Sequence, residues 1–254
     1  RRNSMKVVGM IPARLQSSRL PGKALIDICG LPMVVHTCKR AMLSKSLNEV
    51  YLVTDSERIK EVGESFGINV IMTGAHHKTG SDRIAEACKY VDCDIVVNVQ
   101  GDEPLLNPKH VDAIVKPLLE NLDIKIAVGV TPYRKKNSPS DIKAVLDLDD
   151  NILYCSRNDL PSDARTPVDV MWKMCFIVPF RKTFLLEYAS WPPTPLETIE
   201  FNEYLRVLEH GVKIKAVKIE DAKISVDTKE DLEIVKKLMA EDKIKFLYQD
   251  NQNK

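Results

Sequence analysis

The sequence predicts an α/β protein: a Rossmann-like, mostly parallel sheet covered by helices on both faces, with a smaller mixed subregion. Two observations predict it. Short apolar runs alternate with helical patterns through the first 130 residues. Each apolar run is continuous rather than alternating, as in strands buried on both faces. Strands and helices in that rhythm make βαβ units with right-handed crossovers.

The first run, Lys6 to Ile11, reads as a buried strand that Pro12 ends. A basic stretch follows from Arg14 to Lys23, with Pro21-Gly22 as a turn signal. Pro32 then opens a helical pattern through Met42, a position where proline is favoured. Glu49 to Thr54 reads as a strand, Ser56 to Phe66 as a helix and Asn69 to Met72 as a strand. Ser81 to Tyr90 reads as a helix, Asp94 to Val99 as a strand, Asn107 to Glu120 as a helix and Ile124 to Val130 as a strand.

The rhythm weakens after Pro132. Lys143 to Leu148 and Ile152 to Ser156 predict a hairpin across Asp149-Asp150-Asn151, and Trp172 to Phe180 one apolar strand. Thr198 to Glu209 predicts a helix stopped by Gly211, and Lys213 to Ile219 an exposed strand. Thr228 is a candidate N-cap of the last helix, with Asp231 at N3. The expected organisation is one domain over residues 5–245, with 132–195 as an inserted subregion. Arg1 to Ser4 is expected to be a leftover leader before a natural start at Met5, and Tyr248 to Lys254 a frayed end.

Composition limits the function. Lys+Arg total 37 and Asp+Glu 36, a net charge of +1, which argues against a nucleic-acid binder. No apolar run approaches the roughly 20 residues needed to span a bilayer, and no signal peptide is visible. The six cysteines are scattered, without metal-ligand spacing. They read as reduced thiols of a cytoplasmic protein.

Ligands of open parallel sheets bind at the carboxyl ends of the strands. Three strand-end loops carry chemistry. The loop Pro12 to Lys23 holds Arg14, Arg19 and Lys23 and is either a polyphosphate cradle or a solvated basic loop. In Gln100-Gly-Asp-Glu-Pro104, Asp102 and Glu103 can hold a hard cation such as Mg²⁺, or simply cap the next helix. Asp227, beside Thr228, offers the same choice. Together, a basic loop and two separated strand-end carboxylates suggest metal-assisted transfer from a nucleoside triphosphate.

Read in order, several segments resemble the 3-deoxy-manno-octulosonate (Kdo) cytidylyltransferases, which make CMP-Kdo for bacterial lipopolysaccharide. They include Ile11-Pro-Ala-Arg14, Ser18-Arg-Leu-Pro-Gly-Lys23, Gly80-Ser-Asp-Arg83, Val97-Asn-Val-Gln-Gly-Asp-Glu-Pro104, Ser156-Arg157, Pro195-Leu-Glu197 and Val226-Asp-Thr228. The resemblance runs from Met10 to about Leu238. It implies that Ala13, Arg14 and Lys23 hold the CTP phosphates, and that Gly80, Ser81 and Arg83 lie near cytosine and ribose, with His77 lining the same pocket. It places Mg²⁺ on Asp102 and Asp227, and the acidic sugar on Gln100 and Arg157. It also implies a homodimer formed through the 132–195 subregion. Glu197 and Glu200, one helical turn apart, either bond sugar hydroxyls or face solvent.

One segment departs from the pattern. The family's sugar-pocket strand reads Lys-His-(Leu/Ile)-Gly-(Ile/Leu)-Tyr. Here it reads Lys173-Met-Cys-Phe-Ile-Val178, so His, Gly and Tyr become Met174, Phe176 and Val178. Two hydrogen-bonding groups are lost, and discrimination built on such bonds is strong. The acceptor is therefore either a modified keto-acid sugar or another acid, or the pocket has repacked around Kdo itself. A sialic-acid-type enzyme fits less well, because that family carries a glycine-serine-lysine run where this chain has Ser17 to Lys23. A non-catalytic nucleotide binder would have no need of both Asp102 and Asp227.

Overall fold

The computed structural model describes residues 4–249. In chain order its elements are β1 (Val7–Ala13), a 3-10 turn (Lys23–Leu25), β2 (Asp27–Ile28), β3 (Leu31–Pro32), α1 (Met33–Met42), β4 (Glu49–Thr54) and α2 (Glu57–Ser65). Then come β5 (Asn69–Met72), α3 (Gly80–Cys88), β6 (Ile95–Val99), α4 (Pro108–Glu120), β7 (Ala127–Tyr133), β8 (Lys143–Leu146) and β9 (Ile152–Ser156). The rest are β10 (Met171–Cys175), β11 (Ile177–Arg181), α5 (Lys182–Ser190), α6 (Pro195–Glu200), α7 (Leu205–Glu209), β12 (Lys215–Lys218), α8 (Lys229–Ala240) and α9 (Phe246–Gln249).

The chain forms two compact units, residues 1–112 with 223–254, and residues 113–222. The second unit is thus wider than the 132–195 insertion expected. It takes in β7 and β12, because these strands complete its sheet.

In the first unit the strands run β6-β1-β4-β5, all parallel. Val7, Val8, Met10 and Ile11 of β1 are fully buried, as their unbroken apolar run requires. Pro12 does not end this strand, which continues to Ala13. β6 pairs β1 only from Val7 to Met10, while β4 pairs it through Ala13. Past Met10 the ladder is one-sided, where a missing N–H is tolerated. Three helices start on side-chain caps: at α2 Ser56 accepts from Ile59 N–H, at α3 Thr79 accepts from Asp82 N–H, and at α8 Thr228 forms a full capping box with Asp231. Leu20, Ile28, Met33, Leu105, Val226 and Leu232 share one core cluster, which seats α8 under the basic loop.

The end of the chain is anchored rather than frayed as far as it is described. Tyr248 is buried and its hydroxyl meets His36 Nδ1 at 2.7 Å, while His36 Nε2 meets the Ile28 carbonyl at 2.6 Å. Burial lowers the pKa of His36. Residues 250–254, and the expected leader apart from Ser4, lie outside the described residues.

In the second unit the sheet order is β12-β7-β10-β8-β9. Only β12 and β7 are parallel; the other pairs are antiparallel, including the β8–β9 hairpin. The single strand expected at 172–180 breaks at Phe176, whose ring instead stacks on Tyr204 with centroids 5.6 Å apart. The single helix expected at 198–209 breaks at Phe201, which takes a left-handed φ of 51° and ends α6.

A polar network fixes the loop before β8. Lys143 is fully buried and donates to the carbonyls of Ser138 and Asp141, both at 2.8 Å, and of Arg157 at 2.5 Å. Asp141 accepts from Ser138 Oγ at 2.6 Å and from the Tyr133 hydroxyl, and pairs with Lys173 at 3.0 Å. Burial alone would raise its pKa, but these three partners overcome it and hold the carboxyl at about 2. A carboxyl depressed in the folded state stabilises above its unfolded pKa and loses that contribution as pH falls through the folded value. We predict that Asp141→Asn lowers stability at pH 7 by on the order of 2 kcal/mol. In urea titrations the deficit should vanish between about pH 4 and pH 2, where the parent protonates the same group.

Candidate active site

The site begins with a turn. Lys23 N–H donates to the Leu20 carbonyl at 3.1 Å across Pro21-Gly22, and Gly22 has φ 66°. This is a type II arrangement, with proline and glycine where that turn needs them. It delivers Lys23 to the carboxyl ends of β1 and β6. There Lys23 Nζ meets Asp102 Oδ2 at 3.1 Å, the Val226 carbonyl at 3.0 Å and Asp227 Oδ1 at 3.5 Å. Arg19 adds a longer contact to Asp227 at 3.9 Å. Val226 N–H donates to the Asp102 carbonyl at 2.9 Å, so the two acidic loops are also joined through backbone.

Two separated carboxylates thus converge on one cation. Asp102 is about a quarter exposed, at 24%, and Asp227 42%. Burial pushes the Asp102 carboxyl above its ordinary pKa; the Lys23 ammonium opposes that rise and Asp227 adds to it. The all-oxygen donor set of Asp102 and Asp227 suits a hard divalent cation.

A cleft opens beside this cluster, lined by Ala13, Arg14, Ser17, Lys23, Gln100 and Asp102 among others. Arg14 is exposed in its wall and Gln100 half-buried. Gly101 allows close approach: a Cβ there would lie 3.1 Å from the Pro12 carbonyl oxygen. At Gly80, the first residue of α3, a Cβ would lie 2.9 Å from Pro12 Cγ, so a larger residue would push the helix start off β1. Ser81 is fully buried and accepts from Asn98 Nδ2 at 3.4 Å.

Other expected site residues have protein partners. Arg83 is buried, donates to Thr73 Oγ1 at 2.8 Å and the Gly74 carbonyl at 3.2 Å, and pairs with Asp55 at 3.6 Å. His77 sets Nε2 against Glu86. Glu197 neither faces solvent nor offers a free oxygen. It is buried, and Arg206 takes both its oxygens at 2.6 Å. Its expected role toward an acceptor is corrected to a bidentate structural pair. Glu200 accepts from Ser156 Oγ at 2.6 Å, Arg157 N–H at 3.0 Å and the Tyr154 hydroxyl at 3.3 Å, so it also organises the protein rather than facing solvent. The Arg157 guanidinium donates to the carbonyls of Glu200, Pro139 and Phe201 at 2.8–2.9 Å. The first of these bonds is half-buried and the other two are exposed.

Comparison with known proteins gives the same answer three ways. The Cytidylyltransferase family model matches residues 8–214. The 3-deoxy-manno-octulosonate cytidylyltransferase of Geobacter metallireducens is 41% identical over 251 residues, covering 92% of this chain and 98% of the relative. The chain belongs to this family. A second Kdo cytidylyltransferase, from Chloroherpeton thalassium, is 39% identical over 93% of this chain and 98% of its own. Among solved structures, CMP:2-keto-3-deoxy-manno-octonic acid synthetase complexed with CTP superposes with a TM-score of 0.90 at 34% identity, over 92% of this chain and 98% of that one. A 4-diphosphocytidyl-2C-methyl-D-erythritol synthase from Anaerococcus prevotii, at 17% identity and a TM-score of 0.62, shares the fold. As a Kdo cytidylyltransferase relative, the chain is an α/β nucleotidyltransferase. No helix among the described residues is long and apolar enough to cross a membrane.

The Lys23 cluster generates a stability prediction for this cytidylyltransferase. Lys23→Met leaves Asp102 and Asp227 facing each other without their cation. We predict a loss of about 1–3 kcal/mol at pH 7.5, from charged groups left without their partner. The loss should shrink at a lower pH, because protonating the already raised Asp102 relieves the repulsion. Thermal unfolding at both pH values checks this.

Proposed function

We propose that this enzyme transfers CMP from CTP to the anomeric hydroxyl of a Kdo-like keto-acid sugar, releasing pyrophosphate by in-line attack. The observation that carries the reading is the convergence of Lys23, Asp102 and Asp227 at the mouth of the cleft.

In this reading Asp102 and Asp227 would hold Mg²⁺, which would neutralise charge at the phosphates and could make the attacking hydroxyl more acidic. Lys23 exchanges its carboxylates for phosphate oxygens as the nucleotide enters. Arg14, exposed in the cleft wall, takes a second phosphate, and backbone at Ala13 lies alongside. Gly80, packed on Pro12, and the buried Ser81 set the start of α3, which in this reading lies beside ribose and base, and Arg83 stiffens the loop next to it. Rate enhancement comes mainly from alignment and from charges fixed before the reaction. No covalent nucleophile is needed. Gln100 meets the acceptor. Within the second unit, the Arg157 guanidinium is suited to a carboxylate, for which it would give up the exposed Pro139 and Phe201 carbonyls.

We also propose that the acceptor differs from ordinary Kdo. Met174 of β10 and Val178 of β11 are buried, and Phe176 between them stacks on Tyr204, so this stretch is apolar where the family pattern has two hydrogen-bonding side chains. The working form of the enzyme in this reading is a homodimer.

The test is pyrophosphate release from CTP across a panel of keto-acid sugars and smaller acids, with Mg²⁺ and with an Asp102→Asn control. We expect Mg²⁺-dependent release that falls at least 100-fold in Asp102→Asn, with a modified acid preferred over Kdo. Best turnover with Kdo would overturn the altered-acceptor reading and leave CMP transfer intact. Silence with every acceptor despite CTP binding would overturn the transfer reading.

A further inference from the structure

A second cluster of ligating side chains lies in the first unit, apart from Asp102 and Asp227. The loop between β5 and α3 carries His76 and His77 side by side, and Glu86 lies nearly two turns into α3. One donor atom from each of the three lies within 4.8 Å of the other two. The two imidazoles lie against each other, with centroids 4.2 Å apart and planes tilted by 38°. His77 Nε2 faces Glu86 Oε2, and the same oxygen accepts from Gly74 N–H at 3.1 Å.

Position 74 is part of the arrangement. A Cβ on Gly74 would lie 2.6 Å from both Cε1 and Nδ1 of His76. Only a residue without a side chain admits the His76 ring there. The contact between His77 and Glu86 accounts for those two residues alone. His76 is exposed, and its ring folds back over Gly74 onto the pair.

The geometry points to His76, His77 and Glu86 as a binding site for a borderline transition-metal dication of the zinc type. Two imidazoles and one carboxylate are the donors such ions select, whereas Mg²⁺ prefers oxygen alone. Bonds of about 2.0–2.1 Å in a tetrahedral site place neighbouring donors roughly 3.4 Å apart. The exposed His76 ring reaches that spacing by turning about its own side-chain bonds. Three protein ligands leave one position for water or a small anion. Gly74 N–H, already bonded to Glu86, orients the carboxylate as an outer partner does in known metal sites. The bound ion would pin the 73–79 loop to α3.

The experiment uses the full chain in excess Mg²⁺, which saturates the oxygen-only site. Co²⁺ is added as a coloured probe, and Zn²⁺ affinity is read by calorimetry. We expect one equivalent of Co²⁺ with visible d–d absorption, displaced by Zn²⁺. His76→Ala, a change at an exposed position, should weaken Zn²⁺ at least tenfold, and Asp102→Asn should leave it unchanged. Glu86→Gln should also weaken it, with a circular dichroism spectrum showing that the fold persists. No stoichiometric Zn²⁺ binding to the parent protein would overturn the proposal. So would His76→Ala binding as tightly as the parent, which would assign the ion to cysteines or to another surface group.

Discussion

The candidate site of the first unit depends on one ammonium group. Lys23 Nζ ties together three loops that lie 79 and 204 residues apart in sequence, through Asp102, Val226 and Asp227. Without a cation, two partly buried carboxylates would repel each other at the mouth of a cleft, and Asp102 already carries the cost of burial. The type II turn at Pro21-Gly22 fixes where the ammonium arrives, and the apolar cluster of Leu20, Met33, Leu105 and Val226 holds the backbone beneath it. Rigid support of this kind places charges before a substrate arrives.

The second unit uses its polar residues differently. Lys143, Asp141, Glu197, Arg206, Glu200 and Arg157 are nearly all engaged with protein partners. Buried charges persist only when paired and hydrogen-bonded in this way. These networks hold the loops around β8, β9 and α6. They leave the diverged Met174–Val178 stretch, with its Phe176–Tyr204 stack, as the place where composition departs from the family pattern.

Much of the fold was legible because apolar periodicity and caps are local signals. Every strand of the parallel sheet, and α2, α3 and α4, follow from such patterns to within a residue or three, and so does the start of α8 at its Thr228 cap. The misses share a cause in tertiary context. Pro12 stays in β1 because the ladder is one-sided there, which no local pattern reveals. Phe176 and Phe201 break a strand and a helix through a ring stack and a left-handed residue. Tyr248 is held by His36 from far along the chain. At the site, strand-end position singled out Asp102 and Asp227, but not that Lys23 would lie between them. The spacing of Glu197 and Glu200 showed a shared helix, not the partners that claim each carboxylate. The His76–His77–Glu86 cluster was hidden because Glu86 reads as an ordinary helix residue until α3 is packed beside its loop.

In the proposed mechanism the Lys23 ammonium, between Asp102 and Asp227, would hold the place of a divalent cation until nucleotide draws it away. Mn²⁺ binding followed by electron paramagnetic resonance, in Lys23→Met and the parent protein and without nucleotide, tests it most directly. The His76→Ala background removes the zinc-type site from the measurement. Mn²⁺ should bind more tightly once the competing ammonium is gone, and the parent should show the same tightening when CTP is added. Equal or weaker Mn²⁺ binding in Lys23→Met would contradict it.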